Sequence, residues 1–174
     1  MGKIDEFVKE KLITGLLLSS SIDIDKLKVD LENAWGPIDY MSPEVPFDFT
    51  SYYDGEMGPG IRRYYLSFET LVSPEALSQI KIKSNEMEFP YMSGENRQVN
   101  IDPGLLSLKR LILASSKDAG HRIPLSSGIY GEVTLVYQSK GFKTLDWTYP
   151  DYKSDFCREE MKKVREIYKK QLRN

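Results

Sequence analysis

Apolar residues run almost unbroken between Lys11 and Ser19, with Leu12, Ile13, Leu16, Leu17 and Leu18 interrupted only by Thr14 and Gly15. Such a run predicts a strand buried on both faces, although periodicity alone does not separate it from a short buried helix. The next pattern changes period. Ile24, Leu27, Leu31, Ala34 and Trp35 recur at three and four residues, Asp23 stands where a cap belongs, and Gly36-Pro37 closes the segment. That spacing predicts a helix over 24–35. Residues 38–47 alternate weakly around Pro43 and Pro46, which suits a strand at a sheet edge, where a missing N–H costs no ladder bond.

A polar and aromatic connection over 48–60 leads into a tyrosine- and phenylalanine-rich strand at 61–71. Ser73-Pro74-Glu75 opens a second helix, with Leu77, Ile80, Ser84 and Met87 on one face up to about Glu88. A turn at 91–95 precedes a short strand at 98–101, which Asp102-Pro103-Gly104 is expected to close. Strand, helix, strand, strand, helix, strand is the order of a ferredoxin-like α+β unit, an antiparallel βαββαβ core over 11–102. Residues 103–174 would extend it. The reading there is a third helix at 107–116, a hairpin of strands 121–125 and 129–137 joined by Ser126-Ser127-Gly128, a loop at 147–152, and a final helix. Phe156, Met161, Val164, Ile167, Tyr168 and Leu172 mark the apolar face of that helix. The polar start, 1–10, is expected to be frayed, and the whole is expected to form one domain.

Composition narrows the class rather than the function. In 174 residues, 24 basic and 26 acidic side chains leave a net charge of −2, which gives no global attraction for nucleic acid. One cysteine, Cys157, and one histidine, His121, can make neither an internal disulfide nor a four-ligand zinc site. The run 12–18 is too short to span a bilayer and follows Asp5, Glu6 and Glu10 where a signal peptide would be basic. Glu6 occupies the position where a myristoylation signal needs Ser or Thr. A cytoplasmic protein without a membrane partner is the expectation. No cofactor and no oligomeric state can be assigned.

Chemistry-bearing residues concentrate in three separated stretches. The 48–63 segment holds Tyr52, Tyr53, Asp54, Glu56, Arg62 and Arg63; 117–122 holds Lys117, His121 and Arg122; 147–152 holds Trp147, Tyr149, Asp151 and Tyr152. Each has a structural explanation. Cations after a helix at 107–116 would stabilise its C-terminus, the long loop could pack on its own aromatics, and the third cluster could dock the final helix. The ligand-binding explanation is a pocket for a small anion, a phosphate, nucleotide or carboxylate, held by Lys117 and Arg122 with the aromatic residues, Glu56, Arg63 and Asp151 around it. Glu132 sits in the apolar strand at 129–137, opposite in face to Val133 and Leu135. It requires a partner, and Arg122 on the neighbouring strand is the expected one. Alternatively His121 and Glu132 transfer protons in an enzyme, or the chain is a protein-interaction module using a free sheet edge. Asp102, Asp118 and Asp151 have no spacing that supports a magnesium site.

Several phrases resemble the bacterial family called domain of unknown function 4416. They are Pro46-Phe47-Asp48-Phe49-Thr50 with Tyr52-Tyr53 and Glu56-Met57-Gly58, Ser67-Phe68-Glu69, Asn100-Ile101-Asp102-Pro103-Gly104, Lys117-Asp118 and His121-Arg122-Ile123. Gly128-Ile129-Tyr130, Glu132-Val133-Thr134-Leu135 and Trp147-Thr148-Tyr149-Pro150-Asp151-Tyr152 continue the likeness. The resemblance implies a small stand-alone prokaryotic domain and hands over no reaction. Some members are labelled GTP-binding. This chain has no G-x-x-x-x-G-K-[ST] and no Asn-Lys-x-Asp, so a P-loop GTPase is disfavoured.

Overall fold

The computed structural model describes residues 2–173. Fourteen elements follow in chain order: β1 (Glu10–Leu18), α1 (Ile24–Trp35), β2 (Ile38–Met41), β3 (Val45–Pro46), α2 (Asp54–Met57), β4 (Arg62–Val72), α3 (Leu77–Glu88), β5 (Val99–Leu106), β6 (Arg110–Ser115), β7 (Ile123–Pro124), β8 (Tyr130–Gln138), β9 (Gly141–Thr144), α4 (Pro150–Lys153) and α5 (Asp155–Gln171). The nine strands form one antiparallel sheet in the order β2-β4-β1-β5-β6-β8-β7, with β3 added to β4 and β9 to β8. Residues 2–9 carry no helix or strand and are exposed, while Met1 and Asn174 lie outside the described residues.

β1 lies in the middle of the sheet, which explains its unbroken apolar sequence. Leu12, Leu16 and Leu18 join the core beneath α1 and α3, together with Leu27, Leu31, Ile80, Phe68 and Ile101. Ile13 faces the other way, into a second core with Tyr65, Leu113, Leu135 and the α5 residues Cys157, Met161, Val164 and Tyr168. The sheet is thus a middle layer between helices, and each fully buried leucine contributes about 1.5–3 kcal/mol. α1 begins where Asp23 accepts a hydrogen bond from the Asp25 backbone N–H. It ends at Gly36, whose φ of +90° an L side chain rarely adopts. Ser154 caps α5 through the Cys157 N–H at 3.1 Å.

Two expectations fail in the same region. Asp102-Pro103-Gly104 does not close a short strand, because β5 runs straight through it, pairing Asp102 with Gly15, Pro103 with Thr14 and Gly104 with Ile13. Residues 107–116 are not a helix: Ser107 takes hydrogen bonds from the Lys109 and Arg110 N–H groups, both at 3.1 Å, and turns the chain into β6. An apolar run buried on both faces reads equally as strand or helix. Residues 103–174 are consequently no appendage, since β6 and β8 continue the same sheet and β9, unforeseen, pairs with β8.

β5 and β6 pair only from Gly104 opposite Leu113 to Leu106 opposite Leu111. Toward Val99 the two strands part, leaving one flank of β5 without a strand neighbour. Side chains of α3 take the missing place: Glu88 Oε1 accepts from the Ile101 N–H at 2.7 Å and Lys81 Nζ donates to the Ile101 carbonyl at 3.1 Å. In an antiparallel strand alternate residues direct their N–H groups to the same side. Pro103 therefore aims its missing donor at the flank that has nothing to receive it, which is how a proline is tolerated so deep in a sheet.

Candidate functional site

Where β5 and β6 separate, a cavity of about 540 Å³ opens. Its floor is built by β1 and β4, which bring Leu17 and Arg63 to the end of the sheet. Arg63 is 2% exposed, and its guanidinium stacks over the rings of Tyr65 and Tyr152 at 4.8 and 5.0 Å. Its Nη2 pairs with Asp151, at the start of α4. Gly15 makes the close packing possible: a Cβ there would run into the Tyr152 hydroxyl and approach Arg63 Nη2 to 3.1 Å. Arg63 Nε and Nη1 and the Tyr152 hydroxyl are buried with no hydrogen-bond partner among the described residues. Three unmatched polar groups packed beneath the cavity are costly to leave so.

One wall is aromatic. Phe47, Phe49, Tyr52 and Tyr53 form a chain of ring contacts at centroid separations of 4.9–5.9 Å. Burial raises the Tyr53 phenol well above its ordinary range, so it stays protonated. Tyr52 ends the chain in solvent, where Lys117 donates to its hydroxyl at 3.1 Å and lies 5.0 Å from its ring centre. That hydrogen bond lowers the Tyr52 pKa.

The opposite wall comes from α3 and β5. Lys81 and Glu88 reach the cavity alongside Asn85, Asn100 and Asp102. Arg97 ties this wall to the long loop, donating to Glu56 from Nε at 2.7 Å and from Nη2 at 2.9 Å, while Nη1 lies 3.4 Å from Glu88. The hydrogen bonds from Arg97 hold the Glu56 carboxyl below its usual pKa. Burial moves Glu88 the other way, above its ordinary 4.5, against the opposing hydrogen bond from Ile101 and the nearby charges of Lys81 and Arg97. A carboxyl raised in the folded state contributes stability that is present below 4.5 and lost as pH climbs through the raised value. Glu88→Gln keeps an acceptor for Ile101, and it is expected to flatten the fall in urea midpoint as pH climbs above 4.5. An unchanged slope would contradict that role.

Glu132 closes the third side from β8. It is 1% exposed and accepts from Arg122 Nε at 2.9 Å, the cross-strand pair expected from alternation. His121 Nε2 lies 3.0 Å from the same Oε2 atom. His121 stacks on Trp147, centroids 5.1 Å apart and planes 12° apart, and the Trp147 Nε1–H donates to the Val133 carbonyl at 2.9 Å. Arg122 Nη2 donates in turn to the Tyr149 hydroxyl. Strand β6, not a helix, leads directly into the segment of Lys117, His121 and Arg122, so stabilisation of a helix C-terminus does not explain them.

The three separated stretches do come together. Tyr52, Tyr53, Arg63, Lys117, Glu132, Tyr149 and Asp151 line the cavity. Glu56, His121, Arg122 and Trp147 stand behind that lining, each touching or holding a member of the surrounding network. Sequence reasoning missed Gly15, Lys81, Asn85, Glu88 and Arg97. The α3 residues carried a readable signal, a polar line at 81, 85 and 88 beside the apolar face. Cys157 is buried, and burial pushes its thiol up to about 12, which suits packing rather than nucleophilic attack. Among the described residues no group of three His, Cys, Asp or Glu side chains is placed to hold a metal, and no helix is long and apolar enough to cross a membrane.

The family model described as a domain of unknown function (DUF4416) matches residues 8–168. No curated protein and no solved structure matches the chain. A match running over nearly the whole length places the protein in the DUF4416 family.

Proposed function

We propose that the chain binds a small organic anion in the cavity between the 48–63, 117–122 and 147–152 segments. The observation that carries this reading is the convergence of those segments on one cavity of about 540 Å³, a volume typical of small-molecule sites. Lys117 has no carboxylate within ion-pair distance among the described residues, and Arg63 holds unmatched N–H groups at the base. We further infer a ferredoxin-like unit in the first half, supported by the neighbour order β2-β4-β1-β5. One cytoplasmic domain, with no nucleic-acid or membrane partner, goes with this reading.

Thermal shift with inorganic phosphate, GTP, ATP and a panel of organic carboxylates tests it. A ligand at a hundred times its Kd stabilises by about 2.7 kcal/mol, which raises Tm by about 5–10 °C in a chain of this size. No shift with any compound would end the proposal.

A second reading, proton transfer by His121 and Glu132, draws support from their 3.0 Å contact and from the place of Glu132 on the cavity wall. Against it, Glu132 Oε2 is already engaged by the Arg122 guanidinium. A structural ion pair accounts for that arrangement without chemistry.

A further inference from the structure

The rim of the cavity includes a stretch of chain that the rest of the molecule holds only lightly. Residues 48–52 are exposed one after another, and Phe49, Thr50 and Tyr52 among them line the cavity, which places this stretch at its mouth. Both of its ends are fixed. The Phe47 N–H donates to the Ile61 carbonyl at 2.9 Å beside the β3–β4 pairing, and Phe47 and Tyr53 pack against the buried Leu17, Met57 and Ile61. Glu56, held by Arg97, secures the chain further on. Between those points the hydrogen bonds stay within the loop: the Tyr52 N–H donates to Thr50 Oγ1 at 3.1 Å, and the Asp54 N–H to the Ser51 carbonyl at 3.1 Å. Among the described residues one hydrogen bond joins 48–52 to a segment outside the loop, from Lys117 Nζ to the Tyr52 hydroxyl.

We propose that residues 48–52 are a strap that opens and closes over the cavity, with Lys117 as its catch. The catch is fixed where the strap is loose. The Lys117 carbonyl accepts from Arg122 Nη1 at 2.8 Å, and Arg122 is itself held by Glu132 and Tyr149. Lys117 Nζ lies 5.0 Å from the Tyr52 ring centre, so ring and hydroxyl both meet the ammonium. Both side chains are exposed, and an exposed cation–ring contact shifts an equilibrium by about two- to fivefold. Such a tie favours closure and still releases readily. Segments with exposed hydrogen bonds and few buried apolar contacts open first, and the lids of binding sites are drawn from them. The strap controls entry to the site proposed above and in that sense rests on that reading, but its test needs no ligand.

Thiol labelling of the full chain reads the strap directly. Ala114→Cys puts a reporter on the cavity lining at a position 5% exposed, while the native Cys157, fully buried on α5, reports loosening of the fold as a whole. With dithionitrobenzoate in excess, Lys117→Met should speed modification at position 114 about two- to fivefold. Tyr52→Ala, which removes ring and hydroxyl together, should speed it at least as much. Combining the two changes should add little to Tyr52→Ala alone, because each removes the same contact. Cys157 should stay unreactive throughout, and since Tyr52 and Lys117 are exposed the variants are expected to fold. Labelling at 114 indifferent to both changes would overturn the strap, and so would rates at 114 and Cys157 that rise in parallel. Should Ala114→Cys by itself expose Cys157, Asn85→Cys on the α3 wall serves as reporter with the same outcomes. Failure of the strap leaves the anion proposal standing, and failure of every anion in thermal shift leaves the labelling result standing.

Discussion

Replacing Arg63 with leucine is expected to destabilise the fold by about 3–5 kcal/mol, because it strands the buried Asp151 carboxylate without its partner. Spread over a chain of this size, that loss lowers Tm by about 6–20 °C. The effect comes from breaking the pair rather than from the net worth of the pair, since bringing both ions out of water offsets much of their attraction. Asp151→Asn should therefore be costly too, leaving Arg63 enclosed by Tyr65 and Tyr152 with its charge unanswered. The double variant Arg63→Leu/Asp151→Asn is expected to be less destabilised than the sum of the two single changes, the signature of coupled sites. Denaturant midpoints for the four proteins measure this. Additive losses would show that the pair does not join α4 to the sheet as described.

Gly104→Ala is the second large effect. A Cβ at this position would sit 2.5 Å from the Ile112 carbonyl oxygen and 2.7 Å from Leu113 Cδ2. A backbone oxygen in a sheet cannot swing aside as a long side chain can, so β5 and β6 must move apart at the first residue of their short ladder. Overpacking of this kind costs about 1–3 kcal/mol, and the three-residue ladder between these strands leaves little to absorb it. The consequence reaches the site, because Gly104 marks the point at which the two strands separate to form the cavity. A variant of wild-type stability would mean that the strands already stand further apart than described.

Some of this architecture is written plainly in the residues. β1 shows as an apolar run that suits a strand covered on both faces, and α1 as a three-to-four spacing with Asp23 and Gly36 at its ends. The Arg122–Glu132 pair follows from alternation on a hairpin. Elsewhere, local composition pointed away from the structure. Asp102-Pro103-Gly104 has the makeup of a turn, yet it continues β5 because Pro103 faces a flank that has no strand. The 107–116 segment was ambiguous for a physical reason: Leu111 and Leu113 fill one core while Ile112 and Ala114 pack in the other. A strand covered on both faces shows no alternation to distinguish it. The turn into β9 uses Ser139 and Lys140 in left-handed conformations without the Asn-Gly signature that advertises such turns.

Of the site, the three aromatic and charged stretches were visible, and their meeting was the expectation that mattered. What stayed hidden was the support. Arg97 and Glu56 are separated by 41 residues, and nothing local says that they meet. Lys81 and Glu88 act as substitutes for a strand partner, a role that exists only because β6 turns away from Ile101. Gly15 read as an interruption of an apolar run, and it turns out to be the space into which Tyr152 and Arg63 fit.

The most direct measurement is an amide chemical-shift titration of the labelled protein with the tightest-binding organic anion. The account requires saturable shifts at Tyr53, Lys117 and Tyr149 that follow one common isotherm, since all three line the same cavity. Shifts confined to a single one of the three segments, or scattered over the outer face of α5, would contradict it.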